Sequence, residues 1–222
     1  MKTTLEFINE LRENNNRDWF NANKKRYQES LDMFRSFAGE LLKGISKFDP
    51  SIGYLEPKDT IFRIYKDVRF SKDKLPYKTH FGCWMAKGGR KSTDAGYYFH
   101  LEPGKSFLAA GVWMPPGEQL KLIRQEILFN AEPFLDLINT PEVNKKYERG
   151  GKEDMLKKGP AGFPKDFIHM EELKYKHYIW SRHYSDATIR KGNFPDSVVG
   201  DFKGLFPLVS YLNHTMSFTG NE

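Results

Sequence analysis

The run Phe62-Arg63-Ile64-Tyr65-Lys66-Asp67-Val68-Arg69-Phe70 places Arg63, Tyr65, Asp67 and Arg69 at every second position. On an extended strand these side chains project from one side, same-side neighbours lying ~6–7 Å apart. A guanidinium fork binds a carboxylate or phosphate through two hydrogen bonds. Two arginines flanking an aspartate could hold an anion while Asp67 orients a base or a hydroxyl. The loop that follows, Ser71-Lys72-Asp73-Lys74-Leu75-Pro76-Tyr77-Lys78-Thr79-His80, adds Lys72, Lys74 and Lys78 and the hydroxyl of Tyr77. A second constellation lies downstream, where Tyr98, His100 and Glu102 share one strand face and His100 with Glu102 has the spacing of an acid/base pair. In the next strand Ala109, Gly111 and Trp113 share a face, and the two small residues leave room beside Trp113 for a ligand or a closely packed helix.

A structural alternative uses the same residues. Arg63, Asp67, Arg69 and Glu102 on adjacent strands could form cross-strand ion pairs, each stabilising a solvated sheet face by roughly 0.2–1 kcal/mol. Motifs for more specific chemistry are missing: the sequence has no nucleophile elbow, no Walker loop and no zinc-type His/Cys spacing. Neither a metal nor a cofactor is therefore expected. His177 and His183 share a strand face but would lie ~20 Å apart by strand rise, too far for one metal ion. The single Cys83 sits in an apolar strand and reads as inert packing.

The elements that must position these residues follow from periodicity. Thr3 and Glu6 match a capping box opening a short helix through Leu11, which NNNRD interrupts. Tyr27, Leu31, Phe34, Ala38, Leu41, Ile45 and Phe48 recur at alternating steps of four and three, with Phe37 and Leu42 widening the stripe, so a core-facing helix is predicted over 23–47. Strands are predicted at 60–70, 80–86, 96–102, 106–114 and 175–184, the third and fourth joined by a hairpin at Pro103-Gly104-Lys105. Helices are predicted around Leu120–Ile127, at Pro133–Ile138, from Thr140 as N-cap with Pro141 at the first helical position, and over 196–214. Residues 149–165, rich in Gly, Lys and Pro, read as an exposed loop. Strands in the middle with helices on both flanks give an α+β class with a mainly antiparallel sheet of about four to six strands. The expected organisation is one α+β domain over 1–222, helical in 1–57, sheet-forming in 58–116 and mostly helical in 117–222.

Composition narrows the setting. The chain has 222 residues with 39% hydrophobic and 29% charged residues, which excludes a disordered class. No apolar run approaches the ~18–20 residues of a membrane helix, no secretory h-region is visible, and one cysteine fits a reducing cytoplasm. The net charge of +6 is local: residues 58–91 hold ten basic and three acidic residues, and the rest of the chain is nearly neutral. One basic segment in a near-neutral chain argues for a single localised anion site over general nucleic-acid coating.

The stretch Phe62 to Lys74, with Pro76-Tyr77-Lys78-Thr79-His80, resembles the signature of a conserved family called domain of unknown function 2461. Tyr97-Tyr98-Phe99-His100-Leu101-Glu102-Pro103-Gly104, Gly111-Val112-Trp113-Met114-Pro115 and Gly159-Pro160-Ala161-Gly162-Phe163 are similar to the same family. The resemblance spans nearly the whole chain. Lys66 stands where the family pattern has Arg, and Leu75 where it has Thr. The resemblance implies one compact α+β domain in a cytoplasmic setting, and it implies no activity.

Three functions remain open from the residues. The first is binding of a small phosphate- or carboxylate-bearing ligand by Arg63, Tyr65, Arg69, Lys72, Lys74, Tyr77, Lys78 and Trp113. Single-stranded nucleic acid is a weaker variant, resting on Tyr65, Phe70, Tyr77 and Trp84 among the cations. The second is an enzyme on such a substrate, with Asp67, His100 and Glu102 as acid/base groups. The third is a charged face that docks a partner protein or is covered by the chain itself.

Overall fold

A computed structural model describes residues 1–67, 69 and 73–217. Helices α1 (Lys2–Glu13), α2 (Arg17–Ala22), α3 (Lys24–Ile45) and α4 (Pro57–Thr60) precede strand β1 (Phe81–Met85). Strands β2 (Gly96–Leu101) and β3 (Ser106–Val112) follow, then helices α5 (Gly117–Phe129), α6 (Ala131–Ile138) and α7 (Pro141–Lys146). The remaining elements are β4 (Glu148–Arg149), α8 (Met170–Leu173), β5 (Tyr178–Tyr184), α9 (Asp186–Ile189) and α10 (Phe194–Ser217). The strands form one antiparallel sheet in the order β1-β2-β3-β5-β4, so the class is α+β with flanking helices.

The chain divides into two compact units, each discontinuous in sequence. The first comprises Met1–Arg90, Tyr98–Leu108 and His183–Gly200. Its core grows from α3, whose apolar stripe buries Leu31, Phe34, Phe37, Ala38, Leu41, Leu42 and Ile45. α1 packs on α3, and α3 reaches β1. Phe37 is the hub of this core: its ring meets Phe99 at 4.8 Å edge-on and lies parallel to Phe194 at 5.7 Å. Such aromatic pairs add to the hydrophobic burial of their rings. The first helix starts one residue before the anticipated capping box. No side chain caps it, and the Thr3 hydroxyl points to the Met33 sulfur. Asn14–Asn16 do break the helix, and the Asn16 side chain then caps α2 by accepting from the Trp19 N–H.

The second unit comprises Lys91–Tyr97, Ala109–Arg182 and Asp201–Glu222. Its core packs Phe134 edge-on against Tyr178 and Trp180. Arg149 completes that layer, its guanidinium 3.6 Å from the Tyr175 ring and paired with Glu172. Thr140 caps α7 as the sequence indicates, accepting from the Val143 N–H.

Two expectations change. The described residues of the segment 60–70 do not form a regular strand, and Val68 and Phe70 lie outside the described residues. Two isolated antiparallel bridges, Ile61 to Cys83 and Tyr65 to Tyr77, hold the segment beside β1 and the chain that leads into it. Pro76, with no N–H, can only accept there, from the Lys66 N–H. The loop reading of 149–165 misses the edge strand β4, which pairs Arg149 with Trp180. Removing the hub ring should be costly: Phe37→Ala is expected to lower the unfolding free energy by about 3–5 kcal/mol in urea titrations.

Candidate functional site

β2 is two-faced because its apolar and polar residues alternate. Tyr97, Phe99 and Leu101 are fully buried on one face. Tyr98 and His100 project from the other, and Glu102, just past the strand end, continues it. On this face the His100 ring is hydrogen-bonded at both nitrogens, Nδ1 to the Tyr98 hydroxyl and Nε2 to Glu102 Oε2, each at 3.0 Å. A carboxylate only accepts, so the neutral imidazole carries its proton on Nε2 and the Tyr98 O–H donates to Nδ1. The result is a continuous Tyr98–His100–Glu102 relay.

Neighbouring elements fix this relay. The Phe107 ring of β3 stacks on His100 at 4.8 Å, and the His80 ring, one residue before β1, lies 4.3 Å away. The nitrogen or oxygen ligand atoms of His80, His100 and Glu102 all fall within 4.8 Å of one another. Glu102 is held at the turn by Ser106, whose hydroxyl accepts from the Glu102 N–H and donates to its carbonyl. Gly82 of β1 makes room for the tyrosine, since a Cβ there would lie 2.8 Å from the Tyr98 hydroxyl oxygen.

Burial sets the protonation states. Desolvation, then the nearby His100 and Lys78, push His80 down to about 4. Desolvation also lowers His100, against the opposing pull of Glu102. Both imidazoles are therefore neutral near pH 7. Burial raises the Tyr98 phenol, so the relay keeps its proton, and it pushes the Cys83 thiol up to about 12.

The basic segment resolves into paired and unpaired charges. Arg69 grips Asp67 with two hydrogen bonds, at 2.9 and 2.6 Å, and both side chains are exposed. This pairing, with added help from Arg63, holds the Asp67 carboxyl below its usual range. Lys66 pairs with Asp73 at 2.6 Å. Glu102 joins His100 rather than an arginine, so the cross-strand ion-pair ladder does not form as a unit. Tyr65 and Lys74 are exposed. Tyr77 is buried and stacks on Phe20 at 3.9 Å, which commits its ring to the core. Lys72 lies outside the described residues. Lys78 is half-buried with its ammonium 5.6 Å from the Phe62 ring, and desolvation and Arg63 both lower its pKa. Among the described residues, neither Lys78 nor Arg63 forms an ion pair with a carboxylate.

Trp113 belongs to the second unit. Its indole is half exposed and stacks on His177 at 4.0 Å, and His177 Nδ1 accepts from the N–H of Met114, a non-glycine residue at φ 49°. The space anticipated beside Gly111 is taken by backbone. A Cβ on Gly111, at φ +123°, would come 2.0 Å from the Tyr178 carbonyl oxygen.

Sequence reasoning missed His80 as a site residue, and it placed Tyr98 on the His100 face without giving it a role. His80 is twenty positions from His100 and enters only through the pairing of β1 with β2. Strand parity was the available signal, because His80, Gly82 and Trp84 alternate with the buried Phe81, Cys83 and Met85.

The match to known families covers this whole arrangement. The model of a family described as a conserved hypothetical protein (DUF2461) matches residues 3–211. The chain belongs to that family. Every DUF2461-like motif named above falls inside the matched span, including the relay and the basic segment. No curated protein and no solved structure matches the chain. Among the described residues no helix is long and apolar enough to cross a membrane.

The buried histidines make acid stability a direct check on this geometry. His80 titrates lower in the folded state than its ordinary 6.5, so the unfolded chain binds more protons between about pH 6.5 and 4. Stability is therefore complete above pH 6.5 and falls as the pH drops through that window. Full expression of the shift corresponds to about 3 kcal/mol, and solvent screening at this partly exposed ring reduces it to about 1–2 kcal/mol. Urea midpoints at pH 7 and pH 4.5 should show this loss in the wild type and a smaller one in His80→Gln. Equal losses would remove the assignment.

Proposed function

We propose that the chain binds a small anionic molecule, one bearing a phosphate or carboxylate group, where Lys78 and Arg63 stand beside the polar face of β2. The observation that carries this reading is Lys78 itself. Its ammonium is half-buried against Phe62, has a second cation, Arg63, as its electrostatic neighbour, and meets no carboxylate among the described residues. Taking a charge partly out of water beside a like charge is unfavourable unless an opposite charge arrives. An oxyanion supplies that charge and accepts hydrogen bonds from both groups.

Two neighbouring cations of the segment are already neutralised, which supports a confined site. Arg69 and Lys66 are engaged by the loop's own Asp67 and Asp73. Of the aromatics that would stack nucleic-acid bases, Tyr77 is committed to the core on Phe20 and Trp84 is half-buried, while Tyr65 is exposed. A small anion therefore fits better than a nucleic-acid strand. The one buried cysteine, Cys83, suits a reducing compartment such as the cytoplasm.

The hydrogen-bonded relay favours a second reading, an enzyme acting on the bound phosphate- or carboxylate-bearing substrate. His100 is neutral and held at both nitrogens, so Nδ1 can take the Tyr98 proton while Nε2 passes its own to Glu102, and the Tyr98 oxygen is the end of the relay that meets a substrate proton. Asp67 suits that role less well, because Arg69 stabilises its ionised form.

Calorimetric titration with inorganic phosphate at low salt tests the binding reading. Phosphate should bind the wild type, more weakly as salt rises, and Lys78→Met and Arg63→Ala should each raise Kd by about tenfold, roughly 1.4 kcal/mol. Unchanged affinity in both variants, or no binding to the wild type, overturns it. A single-stranded oligonucleotide that binds more tightly than phosphate also overturns the preference for a small anion.

A further inference from the structure

We infer that His80, His100 and Glu102 form a binding site for a first-row divalent transition-metal ion of the zinc class. Three ligand atoms from three residues already converge within 4.8 Å on one face of the sheet. Two imidazoles and one carboxylate are a donor set that zinc accepts in sites keeping further positions for water or substrate, and nitrogen ligands favour such ions over magnesium or calcium.

The geometry needs one change: the His80 ring, which lies over His100 at 4.3 Å and 31°, must turn so that its nitrogen points to the ion. Around an ion with bonds of about 2.0–2.2 Å, ligand atoms sit about 3.0–3.5 Å apart. His100 Nε2 and Glu102 Oε2 are at 3.0 Å now. His80 must move inward from at most 4.8 Å, and among the described residues no hydrogen bond holds its ring nitrogens elsewhere. It lies in the short stretch before β1, half-buried rather than locked in the core. A half-buried imidazole beside a second imidazole and a carboxylate, with no hydrogen-bond partner among the described residues, is an arrangement that a metal ion satisfies.

A second layer is in place as well. A metal on His100 Nε2 requires the imidazole proton to sit on Nδ1. The Tyr98 hydroxyl, 3.0 Å away, can then turn from donor to acceptor and receive it. Metal-bound histidines commonly donate their other N–H in this way, and losing such a partner typically costs about 10–100-fold in metal affinity. Both imidazoles are neutral in the folded protein, and the carboxylate needs only to exchange the Nε2 proton for the ion. No net proton is released when the His100 proton moves from Nε2 to Nδ1. Phe107, stacked on His100, shields one side of the ring. The inference does not depend on the anion reading, since neither Lys78 nor Arg63 is a ligand.

Chelator-treated full-length protein titrated with zinc chloride, and separately with cobalt(II) followed by its visible absorption, decides the matter. The wild type should bind one equivalent. His80→Gln and Glu102→Gln should each weaken binding by about 100-fold or more, and Tyr98→Phe by about 10–100-fold. Lys78→Met should not weaken metal binding, because it removes a cation beside His80. His80→Gln alters a half-buried loop residue, so its melting curve serves as the folding control and it remains informative even where Glu102→Gln does not fold. A wild type that takes up no stoichiometric zinc overturns the inference, as does zinc affinity unchanged in His80→Gln. Metal binding intact with phosphate binding absent leaves the metal site standing and removes only the anion reading.

Discussion

The phase of β2 is the constraint on which the site depends. Phe99 and Leu101 have no exposed surface, and Phe99 packs against Phe37 and Phe194. A slip of one residue would turn His100 and Glu102 toward the aromatic core and Phe99 toward the polar face, exchanging an aromatic contact network for polar groups set in apolar surroundings. Hydrophobic burial on one face therefore sets, with no polar interaction involved, which three side chains stand together on the other. The polar chemistry inherits its precision from the apolar core behind it. Ser106 at the turn and Gly82 on β1 then trim the position of the relay.

Net charge and usable charge part company in this molecule. The segment 58–91 carries the chain's whole positive excess, yet Arg69 and Lys66 spend much of their charge on Asp67 and Asp73. Exposed pairs of this kind contribute little to stability because water already solvates both partners. Their consequence is to take two cations out of the basic field in which Lys78 and Arg63 stand, beside two histidines that burial keeps neutral. A cationic edge against a neutral, hydrogen-bonded interior is a more selective environment than a uniformly basic surface.

The helices were readable from sequence because their signal is long and repetitive. Seven stripe positions of α3 and the Thr140 cap of α7 are local facts, and the packed chain honours them. The segment 60–70 shows the opposite case. Its alternation is genuine, with Ile64 buried and Arg63, Tyr65 and Asp67 exposed, but alternation does not guarantee a ladder. Pairing is limited by the partner, and here the partner contains Pro76 and, among the described residues, offers isolated bridges. β4 escaped notice because two residues carry no periodicity at all, and only Ser181 and Trp180 across from them define it as a strand.

By itself the sequence determined the α+β class, the α3 core stripe, the two-faced character of β2 and the concentration of charge in one segment. Each of these is a local pattern whose physical cause, burial on one side and solvation on the other, acts over a few residues. Tertiary structure alone decided that His80 joins His100 and Glu102, that Tyr77 turns inward onto Phe20, and that the space beside Gly111 belongs to the backbone of β5. Those outcomes depend on which strands pair and how closely two backbones approach. Sequence spacing does not encode distances between segments, because they arise only when the chain closes on itself.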